Sequence, residues 1–159
     1  MTTAAAFNVL TYLLLAAGLG AMIGFERRWK GHVAGPHTCA LVAVGSAMYV
    51  VVAADLAGPA DVIRAVGQVA VGIGFLCSGV IVRNGLDIRG LNTAATIWCV
   101  GAIGSLIGAR FAVVGTFAAF AVLGVNLVLH LVERHIAGMN PGENESPDRS
   151  PGGPDSSGR

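Results

Sequence analysis

Residues 7–30 read FNVLTYLLLAAGLGAMIGFERRWK. From Phe7 to Phe25 there is no charged side chain; then Glu26, Arg27, Arg28 and Lys30 arrive together. An uncharged apolar run of this length matches the roughly 20 residues a helix needs to cross the hydrocarbon core of a bilayer. The sudden charges mark where the chain leaves the lipid. Four more runs follow the same plan: Thr38–Ala54, Val62–Val82 (interrupted by Arg64 and Gln68), Thr93–Gly108 and Phe111–Val132. None alternates apolar and polar residues as a half-buried strand would. Without water, the backbone must hydrogen-bond to itself, so each run reads as a helix. The expected fold is an all-α membrane protein with five transmembrane helices.

Composition agrees. Of 159 residues, 54% are hydrophobic and 12% charged, against about 25% charged in an ordinary soluble domain. A soluble chain this short could not bury so much apolar surface in one core. The net charge of +1 gives no sign of nucleic-acid binding. Cys39, Cys77 and Cys99 all lie in apolar runs, without a CxxC pair or a neighbouring His. They read as small packing residues, not as a disulfide framework or a metal site. No Walker loop, dinucleotide fingerprint or Ser/His/Asp arrangement is present. GIGFLCSG, residues 72–79, has glycines but lies inside a membrane helix rather than between a strand and a helix. The sequence therefore points away from an enzyme and implies no cofactor; no metal-ligand set can be named. Residues 1–8 hold no Lys or Arg, a poor secretory leader, so the first run is taken as a retained helix.

The basic residues set an orientation. Arg27, Arg28 and Lys30 follow the first helix, Arg83 and Arg89 follow the third, and Arg134 follows the fifth. The second loop, around Asp55 and Asp61, has neither Lys nor Arg, and the fourth has only Arg110. Alternate loops are basic, as the positive-inside rule requires. The N-terminus is expected outside, with the first loop, third loop and C-terminus cytoplasmic. From Ala137 the chain turns rich in Pro, Gly, Ser and charge, too polar to bury itself. The domains read as 1–136, a five-helix membrane domain, and 137–159, a disordered cytoplasmic tail.

Small residues recur four apart at Gly20 and Gly24, Gly74 and Ser78, and Gly104 and Gly108. Such faces let helix backbones approach closely in lipid. The halves also resemble each other. Gly18-Leu19-Gly20 answers Gly72-Ile73-Gly74, and Gly35-Pro36-His37-Thr38 answers Gly90-Leu91-Asn92-Thr93, at offsets of 54 and then 55. Helices one and two would then map onto three and four as a parallel repeat. Thr38, and Asn92 or Thr93, are good N-cap types. Two helix starts and the arginines of the same loops could form an anion-preferring cytoplasmic pocket; topology charges plus ordinary caps explain the pattern as well. Glu26 needs a partner at its depth, with Arg27, Arg83 and Arg89 as candidates. It is either a clamp between the two basic loops or a ligand site. Gln68, Asn126 and His130 read as interhelical hydrogen-bonding groups. Asp55 and Asp61 read as a solvated loop.

Residues 18–47, GLGAMIGFERRWKGHVAGPHTCALVAVGSA, resemble the first signature of the MgtC/SapB family of bacterial membrane proteins. Residues 71–104, VGIGFLCSGVIVRNGLDIRGLNTAATIWCVGAIG, resemble the second. The likeness covers about residues 10–132. It implies a five-helix inner-membrane protein linked to growth at low magnesium and, in pathogens, to survival inside macrophages. It also implies restraint of the F-type ATP synthase, with magnesium transport as the older view. The family's functional asparagine falls on Asn92 and its Glu-Arg pair on Glu26 and Arg27. His37 stands where the family usually has Arg, and the soluble C-terminal domain of many members has no counterpart here beyond the tail.

Two functions follow. One is a regulator that binds another membrane complex through its small-residue faces, since few intramembrane carboxylates exist to strip water from Mg²⁺. The other is a transporter or channel for Mg²⁺, another ion or a small solute, alone or as a homo-oligomer, supported by the repeat and Glu26. The candidate functional residues are Glu26, Arg27, His37, Thr38, Arg83, Arg89, Asn92 and Thr93. The lipid bilayer is the one partner both functions share.

Overall fold

The computed structural model describes residues 3–56, 58–84 and 87–139. Its elements are α1 (Thr3–Trp29), α2 (Pro36–Leu56), α3 (Pro59–Val80), β1 (Val82–Asn84), β2 (Asp87–Arg89), α4 (Leu91–Gly108) and α5 (Ala112–Met139). All five helices are long and apolar enough to cross a membrane. The chain forms two units, residues 1–126 and residues 127–159. Of the second, the described part continues α5 to Met139, with Leu127, Val128, Leu129 and Leu131 exposed. The expected tail therefore starts within the last turn of a helix, and residues 140–159 lie outside the described residues.

The helices outrun the apolar stretches. α1 has 27 residues, about 40 Å at the α-helical rise and longer than the roughly 30 Å hydrocarbon core. Its extra turn carries Glu26 through Trp29. Glu and Arg favour helix, so the first charges do not end it. The end comes at Gly31, whose φ of 79° is left-handed. The His32 amide then donates back to the Arg27 carbonyl at 3.0 Å, closing a Schellman turn. That turn folds His32 back over the last turn of α1.

Two local expectations change. The third loop contains a short antiparallel hairpin, β1 with β2, pairing Val82 with Arg89 and Arg83 with Ile88. The third helix ends at Val80, two residues before the end of its apolar run, and beyond it β-branched Val82 and Ile88 favour strand. The helix starts also differ. Gly90 caps α4 in a left-handed conformation with no side-chain cap bond, and α2 begins at Pro36, with the Gly35 carbonyl accepting from Cys39 N. Thr38 and Thr93 thus sit inside the first helical turns. Gly90 fits because its α-carbon hydrogen faces the Val80 carbonyl, where a methyl group has no room.

α4 is the centre of the first unit. Of its most apolar stretch 61% is buried, against 6% for α3. Glycines set how closely the helices meet. A methyl group at Gly20 would lie 2.6 Å from the Cys39 carbonyl oxygen, and one at Gly24 2.6 Å from that of Gly35. One at Gly104 would strike the Ala43 carbonyl, and one at Gly108 would lie 2.9 Å from Ala47 Cα. Two of the three small-residue pairs therefore bring α1 and α4 onto α2. Among the described residues, the pair on α3 meets no other helix. Gly74 has nothing within 4 Å, and exposed Ser78 donates to the Phe75 carbonyl at 2.7 Å. α3 instead turns Ile73 and Cys77 inward.

Gly104→Ala should lower the stability of the purified protein in detergent by about 1–3 kcal/mol, the usual range for forced overpacking. Gly18→Ala, where space is open, should leave the melting midpoint unchanged. Thermal unfolding of the two variants side by side makes the comparison.

Candidate functional site

Arg27 leaves the last turn of α1 and enters the start of α4. It is 2% exposed. One terminal nitrogen, Nη1, donates to Thr96 Oγ1 at 2.6 Å and to Asn92 Oδ1 at 3.3 Å. The other, Nη2, donates to Thr93 Oγ1 at 2.9 Å. Asn92, Thr93 and Thr96 share one face of α4, because residues three and four apart are neighbours on a helix. Thr96 gives its own hydroxyl proton to the Asn92 carbonyl at 3.0 Å, which leaves its lone pairs for Arg27. All three of these bonds go to neutral oxygens. Charge-assisted bonds are stronger than neutral ones and keep this buried cation tolerable. Its place near the helix end, where long side chains reach the interface, lowers the burden further. Arg27 Nε is buried with no hydrogen-bond partner among the described residues.

Glu26 faces another way. It forms an ion pair with Lys30, one helical turn on. Lys30 Nζ also donates to the Asn126 carbonyl of α5 at 3.2 Å. Neighbouring residues of α1 thus tie it to two helices: Arg27 to α4, and Glu26 through Lys30 to α5. Glu26 Oε2, His32 Nδ1 and Asn126 Nδ2 are buried without hydrogen-bond partners among the described residues, so the cluster is polar but not internally saturated. Burial pushes the His32 imidazole below its ordinary range, and the Arg27 charge, with Lys30 in the same sense, adds to this; a hydrogen bond to the Arg27 backbone and the Glu26 charge oppose it.

The structure brings Arg27, Asn92 and Thr93 together, with Glu26 beside them. It pairs Glu26 with Lys30 rather than with Arg27, Arg83 or Arg89. The reason is helical geometry: Lys30 lies one turn below Glu26, whereas Arg27 is rotated onto α4. Arg89 Nε donates to Asp87 at 2.9 Å within the hairpin, and Arg83 is exposed on β1. His37 and Thr38 are exposed on the first turn of α2. Near the turn between α4 and α5, Arg110 is paired with Asp55, and at the start of α3 Asp61 pairs with Arg64. The residues that sequence reasoning missed are Lys30, His32 and Thr96, along with the Asn126 carbonyl. The signals were present: Glu26 and Lys30 stand four apart, and Asn92, Thr93 and Thr96 form a polar stripe on an apolar helix.

Comparison with known proteins finds relatives that cover the membrane-spanning part of the chain. The profile of the MgtC family matches residues 13–135. The chain is 43% identical to Protein MgtC of Brucella abortus over 111 residues, which are 70% of this chain and 47% of that one. It is 47% identical to Protein MgtC of Salmonella typhimurium over 102 residues, 64% of this chain and 44% of the relative. An uncharacterized protein of Synechocystis is 44% identical over 117 residues, 74% of this chain and 47% of its own length. The chain thus spans about half the length of the curated relatives it matches. No solved structure matches it.

Two outcomes follow from the geometry. A double-mutant cycle of Arg27→Met and Thr96→Val should give a coupling of about 1.5–3 kcal/mol, the range for hydrogen bonds to a charged group, read from unfolding in detergent. Below the ordinary histidine pKa of about 6.5, the unfolded chain takes up a proton that folded His32 resists, so stability falls as pH falls. The melting midpoint should drop below that pH, and His32→Gln should flatten this part of the profile.

Proposed function

The chain belongs to the MgtC family of membrane proteins, and from that premise we propose that it is a non-enzymatic regulator serving magnesium homeostasis and growth at low magnesium by binding another membrane complex. The partner that the resemblance implies is the F-type ATP synthase. The proposed setting is the bacterial inner membrane, with the Arg27 end of the helices on the cytoplasmic side and the residues after α5 as a cytoplasmic tail.

One observation carries this reading. The polar side chains gathered at this end of the helices are engaged with one another: Arg27 with Asn92, Thr93 and Thr96, and Glu26 with Lys30. Such an arrangement braces a binding surface better than it lines a lane for a hydrated cation, because Mg²⁺ gives up its water reluctantly and prefers carboxylate and water ligands. The apolar surface of α3 and the exposed Gly74 and Ser78 pair suit lateral contact with other helices. On this reading Glu26, Arg27, Asn92 and Thr93 hold the shape of the surface, while His37, Thr38, Arg83 and Arg89 are the exposed groups a partner would meet.

A second reading rests on Glu26 Oε2, a buried carboxylate oxygen without a hydrogen-bond partner among the described residues. A carboxylate of that kind is a natural proton or cation stop in a transporter. The two readings separate cleanly. Capture of the tagged, crosslinked protein from magnesium-limited cells should enrich ATP synthase subunits, and adding the protein to membrane vesicles should reduce ATP-driven proton pumping. Reconstituted in liposomes alone, it should pass no more Mg²⁺ than protein-free vesicles. Flux that depends on protein and disappears in Glu26→Gln would replace the first reading with the second.

A further inference from the structure

Between α2 and α3 runs an open groove of about 550 Å³. Leu41, Gly45 and Tyr49 line one wall, and Gln68, Gly72 and Leu76 the other. These positions step by four on each helix, so each wall is a straight ridge along its axis. Apart from Gln68 and two hydroxyls, the lining is apolar. Ser46 already donates its hydroxyl to the Val42 carbonyl at 2.7 Å. Gln68 is different. It is exposed, it has no hydrogen-bond partner among the described residues, and it lies near the middle of the 22-residue helix α3. That places a primary amide near the centre of the hydrocarbon, where no water can serve it.

We propose that this groove is the seat of a second copy of the same chain, joined across a two-fold axis by reciprocal hydrogen bonds between the two Gln68 amides. A primary amide carries both donor and acceptor, so two copies satisfy each other without a different partner. Two-fold contacts use the same patch on both subunits and need this self-complementarity. Gly45 and Gly72 take no side-chain space from the groove, and nothing lies within 4 Å of where their β-carbons would be. A facing helix can therefore settle deeply. α3 is also the helix its own chain covers least. A lipid acyl chain would fill the same volume but leave the amide unpaired. The opposite face of α3, which holds Gly74, plays no part in this contact. The inference stands apart from the regulator reading and does not depend on it.

The test uses the whole chain in membranes. In a Cys99→Ala background, Gln68→Cys should be joined into a species of twice the mass by a short bis-thiosulfonate crosslinker, and Gly74→Cys should not. In dilute vesicles of the fluorescently labelled protein, most spots should bleach in two steps. Gln68→Leu, which is exposed and should leave the fold intact, should shift most to one step, and Gln68→Asn should restore part of the two-step fraction. One-step bleaching of the unmodified chain would overturn the proposal. So would a crosslink at Gly74 but not at Gln68, or a crosslink from position 68 only to a different protein. Labelling of position 68 by a photoreactive lipid acyl chain, with no dimer formed, would assign the groove to lipid instead.

Discussion

A guanidinium with almost no access to solvent joins the end of α1 to the start of α4. The Arg27 contact sets the register of the two helices at that end, because three acceptors on one helix face must meet two terminal nitrogens at once. A cation in that position tolerates little sliding. Losing any acceptor leaves part of a buried charge unpaired, which costs more than the bond itself contributed. Lysine would not substitute well, since it offers a point charge rather than a planar fork. The bond also explains why the charged turn of α1 stays helical. Only a continuous helix through Trp29 aims Arg27 at α4 and Lys30 at the Asn126 carbonyl together.

Such a clamp works only if the helices are close, and the glycines provide that. In lipid there is no hydrophobic drive between helices, so association depends on packing and on hydrogen bonds. Gly20 and Gly24 bring α1 against the start of α2, and Gly104 and Gly108 bring α4 against its middle. α2 thereby fixes the separation of the helices that Arg27 bridges. Packing and polar contact support each other: the glycines without the clamp would leave rotation about the helix axes loosely set, and the clamp without the glycines would not reach.

Much of this was legible in the residues alone. The five spans followed from run length and the absence of charge, since the bilayer permits few alternatives. Arg27, Asn92 and Thr93 were suspected one by one, but the bonds that join them were not, and their fourth member, Thr96, was missed. Sequence shows that Glu26 needs a cation; it does not show how far a helix continues into its charged flank, and that continuation decides between Lys30 and Arg27. The caps were misjudged for a related reason. Thr and Asn are good caps in general, but close backbone approach at Gly90 leaves no room for a side chain there. The hairpin after α3 starts at the very end of the third apolar run, at Val82, where the bilayer argument loses its force and local β-preference takes over.

Gln68 stands at the boundary of what a lone chain explains. Arg27, Lys30 and Ser46, the other polar groups on or beside these helices that matter here, find oxygen partners inside the chain. Gln68, near the middle of a membrane helix and at the wall of an open groove, has no such partner among the described residues, so its amide has a desolvation cost with no compensating bond. The clamp and the amide thus differ in kind. Arg27 resolves its burial by joining two helices of one chain, and so defines the fold. Gln68 has no such partner among the described residues, and on the dimer proposal it finds one in a second copy of the chain.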